Sequence, residues 1–309
     1  MSIPRVSIGL PVYNGEKYLR AALNCVLRQD FSNFELIVCD NASTDGTEAI
    51  CREFAARDAR IRYYRNEKNI GATGNYRRVF ELARAEFFKW ASHDDTFAPT
   101  LVRRCLEEFD KAPANTVLVC SRAEIIDDAG QVIDVSADSF DGATANPVRR
   151  MASLIKTRQY ANPLWGMIRS AALRKTRLMG RFEADHILLL ELSLLGGFRE
   201  IPEILYQQRR HQGSAKNLHL SAKQLLAWHD PSAKAGMVLP HWLDFWVESY
   251  RGISHSPLPA GQKFFCRLSV LWMPCWRRVL RWTGPLRARL GMARTSSPTV
   301  ARGAGAKAS

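Results

Sequence analysis

The chain has no C-x-x-C pair, and its seven cysteines, at positions 25, 39, 51, 105, 120, 266 and 275, are an odd number. That pattern argues against a disulfide framework and against a zinc knuckle, and the expectation is a reducing compartment. No stretch approaches the roughly 20 uninterrupted apolar residues that a spanning helix needs. Met1-Ser2-Ile3-Pro4-Arg5 leads straight into a short apolar alternation without a secretory-signal pattern, so an intracellular protein is expected. A G-x-G-x-x-G fingerprint, a P-loop lysine and internal repeats are also missing, which disfavours a dinucleotide-binding Rossmann site.

Acidic residues are scarce at one end only. From His211 to Ser309 there are 14 basic and 3 acidic residues, against 30 and 27 in the first 210, so +11 of the net +14 sits in the last third. What the chain does have is a globular composition, with 46% of its 309 residues hydrophobic, far too many for disorder. Its length allows one large α/β domain with a smaller appendage.

The first 120 residues alternate strand and helix. Val6 to Val12, Phe34 to Cys39, Ile61 to Arg65, Phe87 to Ala91 and Val117 to Cys120 read as strands. Between them, helices are expected over Glu16 to Arg28, with Leu19, Leu23 and Leu27 on one face, then Ala49 to Ala56, Ala72 to Ala83 and Leu101 to Phe109. Such alternation predicts a mostly parallel central sheet flanked by helices. Further on, Asp127-Asp128-Ala129-Gly130 reads as a hairpin turn, residues 136 to 146 as a mobile loop, Asp185 to Leu195 as a helix and Ile204 to Gln207 as a late strand. Six of the eight tryptophans follow Lys223, among arginines, and the run from Arg294 is expected to be disordered.

Ligands of an open parallel sheet bind at the carboxyl ends of its strands. Three polar clusters fall there: Pro11-Val12-Tyr13-Asn14, Asp40-Asn41-Ala42-Ser43 and Ser92-His93-Asp94-Asp95. Adjacent Asp94 and Asp95 repel unless a cation is near, which suits a divalent ion shared with substrate phosphates, although Asp before Thr96-Phe97-Ala98-Pro99 also suits a helix start. Asn69-Ile70-Gly71-Ala72-Thr73-Gly74-Asn75 is explained at least as well by close packing at a helix start as by a phosphate cradle.

Pro11 to Asn14, Val38 to Thr47, Asn69-Ile70-Gly71 and Trp90 to Asp95 together resemble the family 2 glycosyltransferases with a GT-A fold, in matching order and spacing over residues 4 to about 110. A looser likeness covers residues 160 to 214, through Asn162-Pro163-Leu164-Trp165-Gly166, Glu183-Ala184-Asp185 and Arg209-Arg210-His211-Gln212-Gly213-Ser214. The resemblance implies a nucleotide-sugar donor, UDP- or dTDP-linked, a Mg²⁺ or Mn²⁺ ion, and inversion at the anomeric carbon. Pro11, Val12 and Tyr13 would line the base and Asp40 would accept its imide N–H, with Asn14, Asn69 and Gly71 also on the donor side. Asp94 would lie near the ribose and Asp95 would hold the metal, with Arg209 and His211 closing over the diphosphate or the metal. Asp185 matches the catalytic base, and Trp165 and Glu183 fall on the acceptor side. Two positions depart from the family pattern: Ser92 stands where many relatives carry Asp, and Ala184 precedes Asp185, so Glu183 is the substitute base if the register shifts.

The expected organisation is a GT-A domain over residues 1–220, a helical basic and aromatic extension over 221–285 and a tail over 286–309. Phe264 to Trp282 combines apolar residues with four arginines; it suits an anionic membrane surface, and a helical lid is the alternative. The acceptor expected is a cell-surface polysaccharide or glycolipid precursor, lipid-linked, at the inner face of the cell membrane. Nucleic acid is not expected, since the basicity accompanies no motif for it. The rivals are a sugar-nucleotide pyrophosphorylase, which would need a basic glycine-rich loop after the first strand, and a catalytically degenerate scaffold subunit.

Overall fold

A computed structural model describes residues 3–136, 142–156, 162–180, 184–213, 222–232 and 241–271. The amino-terminal elements are β1 (Val6–Val12), α1 (Glu16–Leu27), β2 (Phe34–Asp40), α2 (Thr47–Arg57), β3 (Ile61–Arg65), α3 (Gly71–Glu81) and β4 (Phe87–Trp90). There follow β5 (Thr96–Phe97), α4 (Leu101–Lys111), β6 (Thr116–Ile126), β7 (Val132–Ser136) and α5 (Pro147–Lys156). After the 3₁₀ turn Asn162–Trp165 come β8 (Met167–Arg169), α6 (Ser170–Leu173), α7 (Ala184–Leu195), β9 (Gly197–Arg209), α8 (Ala222–His229) and α9 (His241–His255). Residues 260–271 are helical as well.

The strands form one sheet in the order β3-β2-β1-β4-β8-β6-β9-β5, with β7 paired to β6. Every residue of β1 and β2 is buried, as expected of strands covered on both faces. The sheet is parallel across β3, β2, β1 and β4. It then turns mixed: β8 runs antiparallel to both its neighbours, β6 and β9 are parallel, and β5 and β7 are antiparallel additions. The short strand expected over Val117 to Cys120 is the start of a longer one, β6, whose pairing with β9 shifts register around Ser121–Ala123. Such bulges let a long strand bend without ending.

The hairpin turn lies where the sequence places it, with Gly130 at φ +85°, a conformation that glycine adopts without strain. Helix α1 buries Leu19, Ala22, Leu23 and Val26, the one-sided spacing of an amphipathic helix. Helix α7 is buried nearly all round, including Glu191, whose charge is held by Arg177 at 2.6 Å. Arg177 also reaches Glu248 of α9 at 2.8 Å. Helix α8 meets α3, where a Cβ on Gly71 would lie 2.3 Å from the His229 carbonyl oxygen. Helices α8 and α9 of the expected extension thus pack on the sheet domain, in one compact unit that runs from Met1 to Val270. The core of the 136–146 loop (137–141), the end of the aromatic segment and the tail (272–309), and Glu183 lie outside the described residues.

Candidate active site

The carboxyl ends of β1, β2 and β4 lie side by side, since Val12 is in register with Asp40 and Gly9 with Trp90. Two of the loops at this edge are stitched together by reciprocal bonds. Asn14, at φ +49°, donates its N–H to Ser43 Oγ at 2.9 Å, while its own Oδ1 accepts the Thr44 N–H at 2.9 Å. Asp45 accepts from the amides of Thr47 (3.0 Å) and Glu16 (3.1 Å), and so holds the first turns of α1 and α2 at once. Pro11 and Val12 are buried strand residues, whereas Tyr13 is 44% exposed at the mouth.

Asp40 is held by three donors. It is 0% exposed, its Oδ1 accepts the Ser43 N–H at 2.8 Å, and its Oδ2 accepts from Arg65 (2.6 Å) and from the Tyr63 hydroxyl (3.0 Å). A carboxylate held in this way shapes its loop. Asn69 and Gly71 are likewise occupied: Asn69 Oδ1 accepts from Asn41 and from the Gly71 N–H, both at 2.8 Å, and Gly71 at φ +79° is covered by α8. They fix the start of α3, the packing alternative that the sequence left open.

The paired aspartates face opposite ways. Asp95 is buried, with Oδ2 accepting the Tyr206 hydroxyl at 2.5 Å and Oδ1 the Arg209 N–H at 2.8 Å. Burial, helped by the Asp94 charge, pushes its pKa up to about 7 against those two hydrogen bonds. Each of its oxygens thus already has a protein donor. Asp94 lies 3.0 Å from His211 Nε2 and accepts from the Ser92 hydroxyl. Burial pushes Asp94 up, but the charge of His93 and the Ser92 and His211 bonds outweigh it and keep the carboxyl below its usual range. Ser92, where relatives often carry Asp, thus serves as a donor to Asp94.

Arg209 is spent on backbone. Its guanidinium donates to the carbonyls of Asp94 (3.0 Å), Asp127 (2.9 Å) and Asp128 (3.0 Å), which ties the hairpin turn to the aspartate loop. In this way it braces the two turns. The Tyr18 ring, whose hydroxyl bonds Asp128, lies under both Arg209 (5.2 Å) and His211 (4.8 Å) and supports the R-x-H element.

Asp185 sits in the first turn of α7 with its side chain 38% exposed and Oδ1 3.0 Å from His186 Nδ1. The Tyr76 phenol, raised by burial, is raised further by the charges of Asp94, Asp95 and Asp185 together. One buried phenol within electrostatic range of all three carboxylates puts Asp185 in the neighbourhood of the aspartate loop. Trp165 is half-buried, its ring nearly parallel to that of Tyr206 at 5.9 Å. Tyr18, Tyr76, Lys89 and Tyr206 were not legible as site residues, although a lysine inside the apolar run Phe87-Phe88-Lys89-Trp90 is a visible anomaly.

No three His, Cys, Asp or Glu side chains cluster for a metal among the described residues. Asp94 and His211 make a carboxylate–imidazole pair, a donor set that fits a divalent ion completed by substrate phosphates.

Comparison with known proteins agrees with this architecture. The model of the family "Glycosyl transferase family 2" matches residues 7–174, and the chain belongs to that family. An uncharacterised glycosyltransferase of Rickettsia typhi is 34% identical over 124 residues, 40% of this chain and 38% of that protein. The chondroitin synthase of Escherichia coli is 26% identical over 212 residues, 68% of this chain and 29% of the synthase. The chain therefore spans well under half the length of these relatives. Among solved structures, S. aureus TarS 1-349 in complex with UDP-GlcNAc superimposes with a TM-score of 0.64 at 17% identity, covering 87% of this chain and 72% of that one. The fold is the GT-A glycosyltransferase fold, with helices following the sheet.

Proposed function

We propose that this chain is a metal-dependent inverting glycosyltransferase that moves a sugar from a nucleoside diphosphate, UDP or dTDP, to an acceptor hydroxyl. The observation that carries this reading is the Asp94–His211 carboxylate–imidazole pair, at 3.0 Å, in a chain of glycosyl transferase family 2. Asp94 and His211 would hold Mg²⁺ or Mn²⁺, which supplies charge neutralisation to the departing diphosphate. Asp185 takes the proton of the acceptor hydroxyl as its oxygen bonds the anomeric carbon, and the glycosidic electron pair leaves with the nucleoside diphosphate. Tyr13 is the exposed side chain for a base to lie against, and Trp165 offers a ring to the acceptor sugar. In this reading Asp94 takes the metal role first expected of Asp95, and Asp95 anchors the loop.

The test is binding of UDP, dTDP and GDP with and without Mn²⁺, read by thermal shift and calorimetry. Stabilisation by UDP or dTDP that requires Mn²⁺ is expected. A chain that binds no nucleoside diphosphate under any of these conditions would sink the reading.

The acceptor is read as a lipid-linked precursor of a cell-surface polysaccharide or glycolipid, met at the cytoplasmic face of the membrane. No helix among the described residues is long and apolar enough to cross a bilayer. Peripheral contact is supported by the helical stretch 260–271, which leaves Phe264 (56%) and Phe265 (58%) exposed beside Lys263 and Arg267. The sequence from 272 to 309 then adds eight basic and no acidic residues, complementary to anionic lipid. Flotation with vesicles rich in anionic lipid should recover the protein at low salt and lose it at high salt. Equal recovery with neutral vesicles, or none at all, excludes this contact.

A further inference from the structure

Lys89 is the one lysine of the described residues with no solvent exposure at all, and nothing in the transfer chemistry uses it. It lies in β4 among Phe87, Phe88 and Trp90, all fully or almost fully buried, where an apolar side chain would be the cheaper choice. Its ammonium donates to the carbonyl of Trp165 and, at 3.3 Å, to that of Trp90. The rings of Phe97 and Tyr206 close the remaining directions, at 4.8 and 5.0 Å from Nζ. Two of these partners lead straight to the active site. Tyr206 carries its hydroxyl to Asp95 at 2.5 Å, and Asp95 in turn accepts the Arg209 N–H, fixing the aspartate loop against the R-x-H element. Trp165 ends the 3₁₀ turn Asn162–Trp165 and lays its ring parallel to Tyr206.

We propose that Lys89 is a positioning residue that locks the aspartate loop 92–95 and the Trp165 turn to one another, through a single buried unit of Lys89, Tyr206 and Asp95. The two segments lie about 70 residues apart in sequence and share no direct hydrogen bond among the described contacts. Lys89 bonds the Trp165 carbonyl directly and reaches the aspartate loop through the face of Tyr206. An apolar residue in its place would leave the Trp165 carbonyl without its donor in a dry interior, so the turn would lose its fixed position. The role deepens the transferase reading, because it sets the distance between the metal side and the acceptor side, yet its test needs no substrate.

Amide hydrogen exchange followed by NMR on the full chain separates a coupling role from simple packing. The reporters are Arg209 N–H, bonded to Asp95, Gly166 N–H, bonded to the Pro163 carbonyl at 3.0 Å, and Leu36 N–H in β2 as a gauge of global stability. Lys89→Met keeps the bulk and removes the donor; Tyr206→Phe removes only the hydroxyl that faces Asp95. In Lys89→Met both Gly166 and Arg209 should exchange at least tenfold faster relative to Leu36. In Tyr206→Phe, which is expected to fold because it deletes one atom, the same excess should appear at Gly166, although the deleted hydroxyl does not touch that turn. A Tyr206→Phe variant in which Arg209 loosens while Gly166 keeps the wild-type ratio to Leu36 overturns the proposal. Adding UDP with Mn²⁺ extends the test: wild type should slow Gly166 and Tyr206→Phe should not. Failure of the wild type to bind UDP would count against the donor reading alone, and the ligand-free exchange ratios would still decide this one.

Discussion

The two halves of the sheet reach the same edge by different means. In the parallel half, β3 to β4, the site loops are closed by groups close in sequence or on adjacent turns, such as Asn14 with Ser43 and Thr44, or Asp45 with Thr47. In the mixed half, the decisive contacts span long separations: Tyr206 to Asp95, Arg209 to the carbonyls of Asp127 and Asp128, Lys89 to Trp165. The first half builds a rigid rim out of local turn chemistry. The second brings partners for that rim from distant parts of the chain, as Tyr206 and His211 come to Asp95 and Asp94.

The comparison can be broken first at Asp185, on the mixed half. Asp185→Asn should lower sugar transfer by roughly 10²- to 10⁴-fold, the usual worth of a general base, while UDP binding on the other half stays within about twofold. Equal loss of binding and turnover would show that the two halves do not divide the labour. Next in size is the seam that attaches α9. Arg177→Met leaves Glu191 buried without its guanidinium partner, and should cost about 3–5 kcal/mol in denaturant unfolding.

A smaller effect is expected at Asp94→Asn. UDP affinity in the presence of Mn²⁺ should weaken by about 10- to 100-fold and become nearly indifferent to chelation, as calorimetry with and without EDTA would show. The smallest concerns pH. Burial depresses His229 to about 4, with the Asp185 charge opposing, so the unfolded chain, near 6.5, binds more protons between those values. Stability is therefore complete above pH 6.5 and falls as the pH drops toward 4, by about 1–3 kcal/mol. His229→Gln should flatten that slope in urea midpoints measured from pH 7 to 5.

Much of the parallel half was legible. The strands from Val6, Phe34, Ile61 and Phe87 stand within a residue or so of where periodicity places them, because fully buried strands and one-sided helices leave strong apolar patterns. The mixed half was not: β6 and β9 read as fragments, since strands of 11 and 13 residues that bulge and leave one face partly exposed carry no clean alternation. The aspartate pair shows the same limit at the scale of one residue. Sequence marks Asp94 and Asp95 as a site but says nothing of which one turns inward.

By itself, the sequence determined that a β-α succession would form and that polar, carboxylate-bearing loops would gather at the carboxyl ends of its strands. Those are consequences of local propensity and of the burial each segment seeks. Only the tertiary structure decided that Asp95 faces Tyr206 while Asp94 faces His211, that Asp40 and Arg209 are consumed as braces, and that α8 closes over Gly71. The role of a charged side chain depends on which partners reach it in a dry interior, and those partners range from Arg65, 25 residues from Asp40, to His211, 117 residues from Asp94.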